Sequence, residues 1–327
     1  MTSPDRNIAL EMVRATEAAA MAASRYMGRG DKNGVDGAAV NAMRFVLNTV
    51  YMDGVVVIGE GEKDNAPMLF NGERLGRGCD PRVDIAVDPI DGTRLTSLGL
   101  PNAVSVVAFA ERGTMYDPKH IFYMNKIAAG PGAADAIDID APVRDNLRAV
   151  AKALGKRTED VTVVILDRPR HEQIIKEIRD ERARIRLIMD GDIAGAMSTC
   201  KDGSGIDLMM GIGGSPEAVI SACAIKCVGG NMQCKLWPRN DEEAGKCREA
   251  GLDLNAVLSM NDLVASDNVY FAATGVTDGD WLSGVRYTGR TIETSSLVMR
   301  SRSGTIRYVK ASHKLEKLES FGSNIEY

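Results

Sequence analysis

One stretch of the sequence, "VDIAVDPIDGTRLT" from Val83 to Thr96, strongly limits how the chain can fold. Its apolar start is typical of a buried strand. Asp88 and Asp91 follow at once, with a proline between them and a glycine and a threonine directly after them. Carboxylates are rarely buried unless something neutralises them. The fold must therefore end a buried strand at a place where two acids are neutralised or used.

Length and charge disfavour several classes of protein. With 327 residues and 44% hydrophobic content, the chain can bury the core of one large domain or of two medium ones. Its 40 Lys and Arg residues are scattered among 45 Asp and Glu, for a net charge of -5, which disfavours a nucleic-acid partner. No apolar run approaches the ~20 residues that a bilayer needs, and acids interrupt the first apolar stretch, unlike in a targeting peptide. We expect a cytoplasmic protein without a membrane partner.

The cysteines and histidines argue against a zinc site. None of the six cysteines lies in a CxxC pair, and Cys223 and Cys227 stand four residues apart in an apolar segment with a helical pattern. The three histidines, His120, His171 and His313, are far apart in sequence and have no recognisable ligand spacing. We expect reduced structural thiols rather than zinc ligands or disulfides.

The first 160 residues have the pattern of an α+β fold. Residues 7–28 are predicted to form a helix, and a second helix is predicted to begin at Asp36, whose side chain would cap it or point toward its N-terminus. Short apolar runs bounded by glycine or proline predict strands of a largely buried sheet. These runs are 54–59, 83–90 and 103–112.

From about residue 145 onward, predicted strands and helices alternate. The strands are predicted at 161–166, 184–189 and 206–214, with helical segments between them. Such alternation indicates a parallel sheet with ligand-binding groups at the carboxyl ends of its strands. A strand at 269–276 and a β-rich tail complete the chain. We therefore expect an α/β protein in two parts, an α+β half over residues 1–160 and an α/β half over residues 161–327 that includes the tail.

Acidic residues gather where predicted strands end or helices begin. They are Glu60, Glu62 and Asp64 after one strand, Asp88 and Asp91 after another, and Glu217 at the start of a helix. Carboxylates brought together repel one another, and hard divalent cations with oxygen ligands neutralise them. Mg²⁺ or Mn²⁺ therefore fits better than zinc. For any single cluster the alternative is a solvated loop or a helix cap, but the shared position after apolar strands favours a metal.

The opening stretch has the parts of a site for metal-assisted phosphate chemistry. Asp88 and Asp91 can chelate a metal, while Pro89 restricts the turn between them. Gly92 and Thr93 begin a predicted helix whose free backbone N–H groups suit a phosphate. Metal and phosphate would then meet at one point, as hydrolysis of a phosphate ester requires. The hydroxyl of Thr93 is placed to donate to the phosphate or to help position the nucleophile.

The segment "LDRPRH" suggests a second phosphate site. Arg168 and Arg170 lie just beyond a predicted strand end, on one side of an extended segment that contains Pro169, and guanidinium groups suit phosphate. The alternative is two solvated arginines in a loop. The neighbouring His171 is expected to be a structural or hydrogen-bonding side chain rather than a general base.

Several motifs together resemble those of one enzyme family. "DPIDGT" matches the DPxDGT-type motif of the lithium-sensitive, metal-dependent phosphatase superfamily, which includes inositol monophosphatases and fructose-1,6-bisphosphatases. With the other motifs, the chain resembles a bacterial class II fructose-1,6-bisphosphatase. Those motifs are "GRGDKNGVDGAAVNAMR", "VVIGEGEKDNAPML", "FYMNKIA", "LDRPRH", "DGDIAGA" and "GIGGSPE". They follow the family's order over about residues 7–313.

The resemblance implies roles for individual residues. Metal ions would be bound by Asp36, Glu60, Asp88, Asp91 and Glu217. The phosphate that is removed would lie at Asp91, Gly92 and Thr93, with Thr93 important for the chemistry. From their positions in the sequence, Lys32 in the glycine-rich turn is expected to steer phosphate or to lower the pKa of a nearby acid, and Asp64 to assist the water. Many members of the class have Glu where this chain has Asp91, so the geometry of the metal is the point in which this chain would differ.

The resemblance also implies how the rest of the substrate is held. The phosphate that stays on the sugar would be bound by Tyr123, Arg168, Pro169 and Arg170. Sugar hydroxyls would contact Asp190, Gly191 and Asp192, and Gly214 would line the same pocket. The first half of the chain would then bind metal and phosphate, and the second half the sugar phosphate, in a layered αβαβα sandwich. A homo-oligomer, either a tetramer or a dimer, is expected.

The implied activity is metal-dependent hydrolysis of D-fructose 1,6-bisphosphate to D-fructose 6-phosphate and phosphate, with Mg²⁺ or Mn²⁺. Sedoheptulose 1,7-bisphosphate stays open as a second substrate because the two sugars share the phosphate-bearing end. Inositol monophosphate is disfavoured because it has no second phosphate for the arginine pair. A non-catalytic sugar-phosphate-binding regulator is the alternative from another class, but a pure binder has no need of several acids and a threonine at the phosphate.

Overall fold

The computed structural model describes residues 7–61, 68–119 and 121–321. Its helices are α1 (Ala9–Ser24), α2 (Lys32–Leu47), α3 (Thr93–Leu98), α4 (Val143–Ala153), α5 (Glu172–Asp180), α6 (Asp192–Ser198), α7 (Ser215–Val228), α8 (Asp241–Glu249), α9 (Met260–Leu263) and α10 (Leu315–Phe321). Its strands are β1 (Asp53–Ile58), β2 (Arg74–Leu75), β3 (Arg82–Asp91), β4 (Val104–Glu111), β5 (Tyr123–Ala129), β6 (Thr162–Leu166), β7 (Arg184–Ile188), β8 (Leu208–Gly214), β9 (Asn231–Leu236), β10 (Tyr270–Gly275), β11 (Arg286–Thr288), β12 (Thr291–Arg300) and β13 (Thr305–Lys314).

The chain forms two compact units. Unit 1 consists of Met1–Arg112 and Asn268–Tyr327, and unit 2 consists of Gly113–Asp267. The boundary expected near residue 160 lies within unit 2, between α4 and β6. The β-rich tail, expected in the second half, pairs instead with the N-terminal strands, because β10 pairs with β4 and β12 pairs with β10. Such pairing depends on backbone hydrogen bonds between distant segments, which local sequence patterns do not reveal.

Unit 1 is built on an eight-stranded sheet with the order β11-β12-β10-β4-β3-β1-β2, in which β13 pairs with β12. The pair β1 and β3 is parallel, and the other pairs are antiparallel. The predicted strands at 54–59, 83–90 and 103–112 correspond to β1, β3 and β4. Ile85 and Phe109 stand opposite each other in β3 and β4, and both are 0% exposed. Their burial explains why these strands have nearly continuous apolar sequences.

The two N-terminal helices of unit 1 pack against each other and, through α1, against β10 and β12. Helix α1 is rich in alanine, and its small side chains allow close packing against its neighbours.

Helix α2 begins at Lys32 rather than at the predicted Asp36. Its N-cap is Asp31, whose Oδ1 accepts a hydrogen bond of 2.9 Å from the N–H of Gly34. The helix therefore begins directly after a glycine-rich turn, despite the two glycines in its first turns.

Unit 2 contains a five-stranded sheet with the order β7-β6-β8-β5-β9. Strand β6 pairs in parallel with both β7 and β8, which agrees with the alternating strand and helix pattern of that region. Strand β5 is antiparallel to its neighbours β8 and β9, so the sheet is mixed. The predicted α/β class is thus confirmed.

Two further expectations concern cysteines and membranes. The six cysteines, all within the described part of the chain, form no disulfide bond, as expected. Burial raises the pKa of the Cys234 thiol to about 12 and that of Cys200 to about 11, so neither is a reactive thiolate. Among the described helices, none is both long and apolar enough to cross a bilayer.

Candidate active site

In unit 1, the acids of the "DPIDGT" motif lie in a bulge at the end of β3 rather than after the strand. Asp88 faces Val106 and Asp91 faces Val104, so two residues of β3 stand against one of β4. Pro89 explains the bulge because it has no N–H for the ladder. The N–H of residue 90 instead donates to Oδ1 of Asp88 at 3.1 Å. The bulge leaves Asp88 half-buried and Asp91 only 4% exposed.

The chain then turns sharply at Gly92 into the six-residue helix α3. Gly92 has φ +100°, a left-handed conformation that favours glycine, and a Cβ there would lie 3.0 Å from the side chain of Leu95. Thr93 is the first residue of α3, and its hydroxyl donates to Oδ1 of Asp36 at 2.6 Å. No side chain caps α3. The hydroxyl of Thr93 therefore does not cap the helix; it contacts an acid of α2.

Backbone hydrogen bonds explain how Asp36 reaches Thr93. In the turn between α1 and α2, the N–H of Gly28 donates to the carbonyl of Thr96 at 3.0 Å. The N–H of Gly30 donates to the carbonyl of Ser97 at 2.8 Å. Both glycines are in the left-handed region, with φ +71° and +73°. The "GRGDKNG" turn is therefore tied to α3, and the first turns of α2 lie beside the start of that helix.

The remaining predicted residues of unit 1 stand in different surroundings. Glu60, directly after β1, is exposed, and its N–H donates to the carbonyl of Leu69 at 2.9 Å. Lys32 is exposed at the first residue of α2. Asp64, like its neighbour Glu62, lies outside the described residues. The geometry of unit 1 thus joins Asp36 to the "DPIDGT" segment, and it places Lys32 at the start of the same helix as Asp36.

The donor set of these acids fits a hard divalent cation, because carboxylate and hydroxyl oxygens are the ligands that Mg²⁺ and Mn²⁺ prefer. Within residues 7–61, 68–119 and 121–321, no three Asp, Glu, His or Cys side chains come close enough to hold one ion. Mg²⁺ is commonly held by one or two carboxylates together with water and substrate phosphate. The acids therefore fit cations whose coordination is completed by the substrate rather than a closed structural site.

In unit 2, an aromatic and an arginine meet beside β8. Tyr123 stands directly opposite Gly214 in the antiparallel pair of β5 and β8. Its ring packs edge-on against Trp237, with centroids 6.1 Å apart. The guanidinium carbon of Arg170 lies 4.9 Å from the centroid of Tyr123, in the range of a cation–π contact. The structure therefore brings together Tyr123, Arg170 and Gly214, three of the residues expected to hold the sugar phosphate.

Two residues of the "RPRH" segment form hydrogen bonds with a single residue of β8, Ile212. Arg170 donates from Nε and Nη2 to the carbonyl of Ile212, at 3.1 and 2.8 Å. The next residue, His171, is 0% exposed, and its Nε2 accepts from the N–H of Ile212 at 2.7 Å. Its Nδ1 lies 2.7 Å from the carbonyl of Leu166 and therefore carries the ring proton. His171 is thus a structural group, as expected.

The two arginines of this segment are held close to each other. Burial lowers the pKa of Arg170, and the positive charge of Arg168 lowers it further, whereas Asp192 opposes the shift. Arg168 is half-buried and donates to the carbonyl of Asp167 at 2.9 Å, while Pro169 is exposed. Two neighbouring guanidinium groups repel each other unless an anion lies between them. The pair therefore suits a phosphate better than two separate solvated arginines.

Acids gather at the carboxyl ends of β7 and β8. Asp190 is half-buried, and Gly191, at φ +87°, turns the chain into α6. Asp192, the first residue of α6, is 6% exposed, and its Oδ2 pairs with the ammonium of Lys126. Glu217, in the first turn of α7, folds its carboxylate back toward the backbone of "GIGGSPE". The predicted substrate-binding and metal-binding acids of unit 2 therefore lie around one buried lysine.

The surroundings of Lys126 and Glu217 shift the pKa values of both side chains. Burial alone would lower the pKa of Lys126, but the charges of Asp192 and Glu217 raise it above its ordinary value, so the lysine stays protonated. Burial raises the pKa of Glu217, Lys126 opposes that shift, and Asp192 adds to it. Oε2 of Glu217 and Oδ1 of Asp192 are buried, and neither has a hydrogen-bond partner in the part of the chain that the structure describes. Glu217 therefore has the orphaned oxygen expected of a carboxylate that binds a cation.

Sequence reasoning missed Lys126. It lies in the motif "FYMNKIA", in which only Tyr123 has a role predicted from the sequence. A single lysine among apolar residues of a central strand was the available signal, because such a residue must find a buried partner. The partner, Asp192, is 66 residues away in sequence, so the pair itself was not visible.

Comparison with known proteins gives one consistent result. A family model described as "Bacterial fructose-1,6-bisphosphatase, glpX-encoded" matches residues 6–313. The chain is similar to "Fructose-1,6-bisphosphatase 1 class 2" of Escherichia coli (strain K12), with 45% identity over 325 residues that cover 95% of this chain and 96% of that protein. It has the same identity and coverage with "Fructose-1,6-bisphosphatase class 2" of Escherichia coli O6:H1 and of Shigella flexneri. The similarity extends over both units and is not confined to one motif.

Proposed function

Because the chain belongs to the family of bacterial class II fructose-1,6-bisphosphatases, we propose that its two units supply different parts of the hydrolysis of D-fructose 1,6-bisphosphate. The enzyme is a phosphoric monoester hydrolase of gluconeogenesis, and its products are D-fructose 6-phosphate and phosphate. Unit 1 carries the groups that act on the phosphate that leaves. Unit 2 carries the groups that hold the sugar and the phosphate that stays.

The family is metal dependent, and the acids proposed to bind the cations are Asp36, Glu60, Asp88, Asp91 and Glu217. When bound, the cations polarise the phosphoryl oxygens and lower the pKa of water. The oxygen-only donor set favours Mg²⁺ or Mn²⁺. Aspartate at position 91 is one methylene shorter than the glutamate common in the class, so the geometry of the metal is where this chain would differ.

Thr93 is proposed to position the attacking water, and its hydrogen bond to Asp36 is the observation that carries the proposal. The hydroxyl proton points to Oδ1 of Asp36 at 2.6 Å. The oxygen of Thr93 then accepts a hydrogen bond from the attacking water, and as that water gives its proton to Thr93, the hydroxyl proton of Thr93 passes to the carboxylate of Asp36. Backbone N–H groups after Gly92 would receive the leaving phosphate. Lys32 would attract the anionic substrate, and Asp64 would assist the water.

The retained phosphate is proposed to lie between Arg168 and Arg170, beside Tyr123 and Pro169. An anion there relieves the repulsion between the two guanidinium groups. The sugar hydroxyls are proposed to contact Asp190, Gly191 and Asp192, and Gly214 leaves room for them. Binding energy from this end of the substrate orients the other end for reaction.

One assay tests two alternatives, namely a second sugar bisphosphate as substrate and a non-catalytic regulator. Phosphate release is measured from fructose 1,6-bisphosphate, sedoheptulose 1,7-bisphosphate and inositol monophosphate, each with and without Mg²⁺. We expect metal-dependent release from the first, and the ratio between the two bisphosphates decides whether the second sugar is also a substrate. Binding of fructose 1,6-bisphosphate without any release would favour the non-catalytic regulator instead.

The cytoplasmic location, expected from the sequence pattern, and the homo-oligomer, implied by the resemblance to the family, are part of the same proposal. Sedimentation of the purified chain tests the second point. A tetramer or a dimer is expected, and a monomer at working concentration would contradict it.

A further inference from the structure

Lys126 lies in the middle of β5 with its side chain fully enclosed. The residue is 1% exposed and its side chain is 0% exposed. Its strand neighbours Met124, Ile127 and Ala128 are also buried. A lysine ammonium is almost never buried without a compensating partner, because its charge loses the hydration of water. A charged group in such a position has to serve a specific contact.

That contact is with Asp192, and the neighbouring glycines make room for it. A Cβ on Gly213 would stand 2.9 Å from Nζ of Lys126 and would overlap the carboxylate of Asp192. A Cβ on Gly214 would overlap the carboxylate of Glu217 in the same way. The glycine pair of "GIGGSPE" is therefore required by one lysine and two acids that lie against its backbone.

The ion pair uses only one side of the Asp192 carboxylate. Oδ2 meets Lys126, whereas Oδ1 is buried and has no hydrogen-bond partner among the described residues. A buried acceptor without a donor is unfavourable, so such an atom in a native protein is commonly explained by a ligand or by water. Oδ1 therefore has an unused capacity to accept a hydrogen bond, and a sugar hydroxyl is a donor of the right kind.

We propose that Lys126 is a positioning residue for the sugar, which holds one oxygen of Asp192 so that the other oxygen meets a hydroxyl of the fructose phosphate. The inference rests on the proposed function, in which Asp192 binds sugar hydroxyls. Lys126 itself does not touch the substrate, because its ammonium is enclosed. Without the lysine, the carboxylate of Asp192 can rotate, and rotation removes the acceptor from its position.

A second ion pair of unit 2 provides a matched control. Nζ of Lys156 lies 2.5 Å from Oδ1 of Asp207, an acid that is 8% exposed. Asp207 immediately precedes β8, whereas Gly213 and Gly214 end that strand, so the two pairs lie at opposite ends of it. Lys156→Met breaks the control pair and deprives the buried Asp207 of its lysine, but it changes no residue of the proposed sugar site.

The experiment compares Lys126→Met, Asp192→Asn, the double variant and Lys156→Met. For each, the KM and kcat for fructose 1,6-bisphosphate, the Kd of fructose 6-phosphate by calorimetry, and the Tm are measured. Lys126→Met is expected to raise KM and Kd about tenfold, the size of one charge-assisted hydrogen bond. Its kcat is expected to stay within about threefold of the wild type. Lys156→Met is expected to lower the Tm and leave KM and Kd unchanged.

The double variant tests whether Lys126 acts through Asp192. If it does, adding Lys126→Met to Asp192→Asn raises KM and Kd no further. A double variant clearly weaker than Asp192→Asn overturns the inference. So does a Lys126→Met variant that keeps wild-type KM and Kd while Asp192→Asn raises both.

The test gives an answer even if Lys126→Met does not fold or if Asp192 has no role in binding. If Lys126→Met does not fold, the double variant removes the charges of both partners, Lys126 and Asp192, and its comparison with Asp192→Asn decides the question alone. An Asp192→Asn variant with wild-type KM and Kd overturns the proposed role of Asp192 itself and the inference with it. Failure of the inference alone is therefore distinguishable from failure of the proposed function.

Discussion

The candidate residues of unit 1 are positioned by the backbone. A bulge at Pro89 presents the acids of β3, and a left-handed turn at Gly92 starts α3. Hydrogen bonds from the N–H groups of Gly28 and Gly30 to carbonyls of α3 place the start of α2 beside that helix. The side chain of Thr93 then needs only one hydrogen bond, to an acid of α2, to be oriented.

The candidate residues of unit 2 are positioned by contacts of their side chains, both with other side chains and with backbone groups. Arg170 packs on the ring of Tyr123, and His171 is fully buried between two backbone groups. Lys126 pairs with Asp192 inside the sheet. Under the proposed function, the geometry of unit 1 would serve the reacting atoms, whereas the charges of unit 2 would hold the ligand. Variants in unit 1 should therefore lower kcat, and variants in unit 2 should mainly raise KM.

Removal of the metal should have the largest effect, because it disables the chemistry of unit 1 at once. We expect activity to vanish in excess EDTA and to return when Mg²⁺ or Mn²⁺ is added back. The measurement is phosphate release from fructose 1,6-bisphosphate before and after chelation. Full turnover in excess EDTA would rule out the metal mechanism, and calorimetric binding of fructose 6-phosphate provides the control that unit 2 is still folded.

Thr93→Ala should have the next largest effect. The variant loses the hydroxyl that contacts Asp36, so kcat is expected to fall on the order of a hundredfold or more. Thr93→Ser keeps the hydroxyl and should retain much of the activity. The Tm of both variants is measured with kcat, because loss of a cap alone would cost only ~1 kcal/mol of stability. An alanine variant with normal turnover would show that the hydroxyl serves the fold.

Arg170→Ala should mainly raise KM, by about tenfold or more, because it removes a guanidinium group from the retained phosphate. Some loss of kcat is expected, since that binding energy also orients the sugar. The matched control is Arg148→Ala, which removes an exposed arginine of unit 2 that pairs with Glu181. Steady-state kinetics of both variants decide the point. Equal KM values in the two variants would show that Arg170 does not bind the retained phosphate.

The smallest effect concerns the pH dependence of stability. Burial lowers the pKa of His171 below its ordinary value of 6.5, and Arg170 lowers it further. Below about pH 6.5 the unfolded chain therefore binds a proton that the folded chain does not, so stability is lost as the pH falls. Burial lowers the pKa of His313 with the same sign, whereas burial raises the pKa of Glu17, which has the opposite effect.

A variant isolates the contribution of His171. The Tm of the wild type should fall more steeply than that of His171→Asn between about pH 7.5 and about pH 5.5, because only the wild type has the buried imidazole. The variant should be less stable at every pH, since it loses the two backbone contacts of the ring. Parallel Tm curves would mean that His171 is not neutral in the folded protein.

Much of this organisation could be predicted from local sequence. The strands β1, β3 and β4 follow from apolar runs between glycines and prolines, and the "DPIDGT" acids follow from their position after such a run. The start of α2 could not be predicted, because Asp31 and Asp36 are both good cap residues and packing of the glycine-rich turn decides between them. The pairing of the tail with β4 through β10 could not be predicted, because it joins segments that are distant in sequence.

By itself, the sequence determined the chemistry available to this protein: oxygen ligands without a zinc motif, a hydroxyl next to two acids, and paired arginines after a strand. Those features are local, so residue type and spacing are enough to reveal them. Only the tertiary structure decided that Thr93 donates to Asp36 rather than to its own helix, and that Lys126 meets Asp192. Both contacts join residues more than fifty positions apart, and burial and sheet pairing, which act across the whole chain, select them.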